Sequence, residues 1–175
     1  MNYTAYLRIS LLAFFYILMP PYLSAQENNN LKNILSNYMI DEWLQCVNEE
    51  CIDYNYKVDG FSKIMLVKVP DCNYEDEGQA MFIIVNGEVK HSEEIEFDHN
   101  FKYVSDVKGF TLFSHHSSIN GMFKYYFVDL DTFRTYTTSF LDAPFSFQKI
   151  NFKEETVEGF NVDLNKKETL NLKAL

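Results

Sequence analysis

The chain has 175 residues, enough for one domain with a sizeable core. It is 47% hydrophobic and 17% aromatic, a bias that suits a sheet-dominated core, and it carries a net charge of −10. That charge argues against nonspecific binding to nucleic acid or to anionic lipid headgroups, because both would be repelled.

The first 25 residues read as a leader. A short region with one positive side chain, Arg8, precedes the apolar run Ile9 to Met19. Pro20 and Pro21 then break any helix, and Ala25 supplies the small residue for cleavage. The run falls short of the ~20 residues a spanning helix needs. We therefore expect a signal peptide over residues 1–25, one mature domain over 26–175, and a secreted or periplasmic destination. No cysteine follows the run to take a lipid anchor, and no later segment could insert into a membrane.

Residues 31–47 predict a helix. Leu31, Ile34, Leu35 and Tyr38 form an apolar stripe that fails at Glu42, so either the helix breaks near Asp41 or both of its faces are partly covered, with Trp43 anchoring the second part. In an oxidising compartment the three cysteines, Cys46, Cys51 and Cys72, allow at most one internal bridge. The expected bridge is Cys46–Cys51, with Cys51–Cys72 as the alternative. Three cysteines and a distant histidine lack the spacing of a zinc site, so no metal and no cofactor is expected.

Strands follow: residues 52–58, 61–69 ended by Pro70, and 80–85. Asn86-Gly87 then signals a two-residue hairpin. Residues 71–78 form an acidic loop that lacks the Gly and Glu positions of an EF-hand. Residues 88–97 return as a charged, exposed strand. Its Glu93, Glu94 and Glu96, with Asp98 beyond, are the candidate binding residues. They read either as charge that discourages edge-to-edge pairing or as a docking face for a basic protein partner.

Residues 101–140 are the aromatic centre. In residues 124–130, Tyr126, Val128 and Leu130 point one way, and Tyr125 and Phe127 the other. A strand apolar on both faces belongs in the middle of a sheet, with packing above and below. Residues 127–133 look like the strand-and-turn phrase of a β-propeller blade, but they cover one hairpin and imply no family. Residues 145–152 and 160–164 read as a closing hairpin, and a polar tail begins at Asn165.

Catalytic constellations are weak. His115 and His116 are adjacent on a strand and point to opposite faces, so they cannot easily share a substrate. No nucleophile elbow surrounds Ser117 or Ser118. A catalytic site would need His99 or His115 beside Asp129 in a deep cleft. The expected fold is α+β: an N-terminal amphipathic helix on an antiparallel meander of about seven or eight strands, with a β-sandwich as the alternative. The expected function is non-catalytic binding, and the alternative is a small hydrolase or ligand-binding domain whose site forms only in three dimensions.

Overall fold

A computed structural model describes residues 29–70, 79–95, 99–107, 109–117 and 120–175, with the backbone alone at 79, 94, 95, 99 and 100. The expected leader, the acidic loop at 71–78, Glu96 and Asp98 lie outside the described residues.

The fold is mainly β, which corrects the expected balance of helix and sheet. Twelve strands are formed among the described residues, and all pair antiparallel in three sheets. The first sheet has the order β1 (Ile52–Val58), β2 (Phe61–Pro70), β3 (Gln79–Val85), β4 (Glu88–Ile95). The second contains β5 (His99–Val107), β6 (Phe110–Ser117), β7 (Phe123–Asp129), β8 (Thr135–Thr137) and β12 (Lys173–Ala174), in the order β12-β8-β7-β6-β5. The third has β9 (Phe145–Asn151), β10 (Thr156–Asn161) and β11 (Lys166–Asn171), with β10 in the middle.

Turn chemistry sets the early hairpins. Asp59 and Gly60 have φ of 52° and 80°, and Asn86 and Gly87 have 52° and 79°. Two successive positive φ values are those of a type I′ turn, whose twist matches the flanking strands.

The helical segment is two short pieces, α1 (residues 29–35) and α2 (Asp41–Cys46). Ile40 stands at the start of α2 without a side-chain cap, while Asp41 and Glu42 place negative charge at the favourable end of the helix dipole. The break therefore falls just before Asp41. Cys51 is a free, buried thiol, whereas Cys46 is disulfide-bonded to a partner outside the described residues. The expected Cys46–Cys51 bridge is not made. Cys51 instead turns its sulfur into a local network, near the Asn48 N–H and the Cys46 carbonyl.

The layers follow from side-chain alternation. One face of the first sheet, including Met65, Val67, Phe82 and Ile84, takes the helical segment through Leu31, Leu35 and Val47. Its other face, including Leu66, Met81 and Ile83, packs on Phe101, Phe113, Tyr126 and Val128 of the second sheet. The far face of the second sheet, with Leu112, Tyr125 and Phe127, meets Phe145 and Val157 of the third. The order is helix, sheet, sheet, sheet. Strand β7 does lie at the centre of its sheet with apolar packing on both faces. Its cover is sheet on each side, and the helix packs elsewhere.

Two devices hold the third sheet in place. The Phe145 N–H donates to Tyr125 Oη at 3.0 Å, tying the start of β9 to the second sheet. The chain after β11 buries Leu172 and re-enters the second sheet as β12 beside β8. The polar tail expected from Asn165 is thus β11 and β12.

Candidate functional site

Glu93 stands partly buried on β4. Its Oε2 lies 3.3 Å from His91 Nε2 on its own strand and 3.3 Å from His115 Nδ1 on β6. The Glu93 side chain is 27% exposed and that of His115 only 1%, so the carboxylate bridges the first two sheets from within. Burial would raise its pKa, but the His115 and His91 imidazoles beside the carboxylate outweigh that and hold it at about 2. The side chain of Glu94, and Glu96 and Asp98 altogether, lie outside the described residues. Strand β4 is an edge of the first sheet, as expected.

Around this bridge lies an aromatic box. The Tyr126 ring sits 4.5 Å from His91 and 5.2 Å from Phe101, with Lys124 Nζ 5.3 Å from its centroid. The Tyr126 hydroxyl is buried without a hydrogen-bond partner in the structure. Burial, then the Glu93 charge, push its pKa well up, so it remains a neutral phenol. His115 pairs across the sheet with Lys124, while Asp129 pairs with Phe110 at the other end of β7. The His115–Asp129 juxtaposition needed for catalysis is therefore absent. Asp129 accepts from the Asp131 N–H and the Thr132 hydroxyl, a turn role. Among the described residues no group of three or more His, Cys, Asp or Glu is placed to hold a metal ion.

A larger feature lies on the opposite face of the second sheet. A cleft of about 730 Å³ opens between that face and strand β9. Its floor is Phe110, Leu112, Ser114 and His116 of β6, with Phe123 and Tyr125 of β7. One side is Lys102, Val104, Ser105 and Val107 of β5, and the other is residues 145–150 of β9. Both β5 and β9 are edge strands, so the cleft runs between two sheet edges. A β-bulge lets Tyr103 and Ser105 face successive partners, Phe113 and Leu112, and leaves Val104 looped out at the rim. Gly159 keeps the far wall close: a methyl there would run into the Ser146 carbonyl and the Phe145 ring.

No protein family, curated protein or solved structure matches this chain. The chemistry of the cleft must therefore be read from its own walls. Aromatic and aliphatic side chains dominate, with a few polar groups among them, the usual composition of a small-ligand site. Among the described residues the lining includes two lysines and a histidine and no carboxylate, although the chain carries 25 acidic residues against 15 basic ones.

The sequence reading missed these residues because the site is a gap between sheets, and periodicity reports faces but not gaps. One signal was present. On β5, Lys102 alternates with Phe101 and Tyr103, which marks a second, more polar face. His116 alternates in the same way with His115, and the expectation that the two point apart holds.

Proposed function

We propose that this protein is an exported, non-catalytic binding protein that holds a predominantly apolar small ligand in the cleft between β9 and the β5–β7 face. The observation that carries this reading is the cleft itself, about 730 Å³ with aromatic walls. Val104 and Val107 at its rim are each 44% exposed, apolar surface left open where a ligand would cover it. Export rests on the leader pattern of residues 1–25. No helix among the described residues is long and apolar enough to cross a membrane.

The test is binding of the neutral apolar dye Nile red, followed by its fluorescence. The wild type is expected to bind it, and Val104→Glu with Val107→Glu to weaken binding by about tenfold or more, because a charge at the rim must be desolvated by the ligand. These exposed positions should leave the fold intact. Absence of binding by the wild type, or equal binding by the double variant, would overturn the reading.

A second reading has one observation in its favour, the edge position of β4. Glu94, Glu96 and Asp98 would there form a docking face for a basic protein. Glu93 takes no part in it, since its carboxylate is engaged with His91 and His115.

A further inference from the structure

We infer that the cleft takes an elongated amphiphile whose anionic headgroup sits at the Lys102–His116 end and whose apolar tail runs toward Phe110. This rests on the cleft being the ligand site and adds the class of ligand. The first argument is polarity along the floor. Strand β6 presents Phe110, Leu112, Ser114 and His116 to the cleft in turn, so the lining passes from apolar to polar along one strand. Six residue steps at ~3.3 Å give a path of roughly 20 Å, the scale of an extended acyl chain.

The second argument is the grouping of donors. Lys102 lies opposite Ser114 across β5 and β6, and His116 is the next residue along β6 on the same face. Diagonal neighbours of this kind are roughly 7–8 Å apart, within reach of one carboxylate or phosphate. The His116 ring is stacked on Phe123 at 4.3 Å and 9°, which fixes its plane at that end. Among the described residues Lys102 makes no ion pair, so its charge is available to a ligand.

The third argument is charge complementarity. Among the described residues the lining bears Lys102 and His116 at this end and no carboxylate, in a chain of net charge −10. The surrounding protein repels anions in general, so an anionic ligand would be selected here by its tail as well as its head.

The experiment compares four ligands of one chain length below their micellar range: dodecanoate, dodecyl phosphate, dodecanol and dodecylammonium. Each is titrated by calorimetry into the wild type and into Lys102→Glu. The expected result is that at least one of the two anions binds the wild type tenfold or more tighter than the alcohol, with the ammonium weakest. The stronger anion identifies the headgroup. In Lys102→Glu the anion-to-alcohol ratio should fall toward one, and raised salt should narrow the wild-type ratio. Equal affinity for alcohol and anions would overturn the headgroup assignment while leaving the cleft as an apolar site. No binding of any of the four would overturn both.

Discussion

Replacing Glu93 by Gln removes one charge from between the first and second sheets while keeping the side chain's size. Its Oε2 lies 3.3 Å from both His91 Nε2 and His115 Nδ1. The carboxyl is held at about 2 against an ordinary 4.5, with burial opposing and the histidines winning. The folded value lies below the unfolded one, so the stabilisation is fully present above 4.5 and is lost as pH falls toward 2. A gap of this size corresponds to about 3 kcal/mol; partial solvent access to the carboxylate lowers the expectation to about 1–3 kcal/mol. Urea denaturation of the wild type and Glu93→Gln would read it. The difference in stability should be about 1–3 kcal/mol near ~pH 6 and should shrink by more than half by ~pH 3. A difference that is near zero throughout, or that does not change with pH, would place the carboxylate in water and refute the inter-sheet bridge.

Tyr126→Phe should be neutral or stabilising by up to about 1–2 kcal/mol, because it removes a buried hydroxyl that has no partner, whereas Tyr126→Ala should cost about 3–5 kcal/mol through a cavity in the central strand. Chemical denaturation of the pair checks both signs, and a large loss in the Phe variant would mean the hydroxyl is bonded. Gly159→Ala should destabilise by about 1–3 kcal/mol, since the carbonyl it meets belongs to the backbone and cannot swing aside. It should also weaken Nile red binding, because β9 must shift to make room; unchanged binding in a folded variant would detach β9 from the site.

Much of the sheet structure was legible because burial on two faces leaves a sequence signature. Residues 64–67 and 80–85 are apolar without interruption, and both stretches are packed on each side. The opposite facing of Tyr126 and Tyr125 was equally plain, and one turn was announced by Asn86-Gly87. Strand β11 was not legible. Its side chains are mostly exposed, so the ladder to β10 defines it, and backbone pairing leaves little trace in residue type. The contacts of Glu93 were not legible for a related reason. A run of acidic residues looks like solvated edge, and only the position of His115 on another sheet turns one of them inward. The helix was overextended because Leu31 and Leu35 carry a stripe that the segment at 36–40 abandons. The cleft depends on how far β9 stands from β6, a distance that no local pattern encodes.

Cys51 carries a consequence for the order of events during maturation. Its thiol is buried under the helical segment, and that burial pushes its pKa up, which keeps it protonated and slow to react. That protection exists only after the segment has docked on the first sheet. Before docking, Cys51 is the sequence neighbour closest to Cys46 and competes for it as a partner. A chain oxidised too early can therefore close a short loop at 46–51 and spend the cysteine that the native bridge requires. Packing acts here as the proofreader of oxidation: it withdraws the wrong thiol before the right pair is sealed.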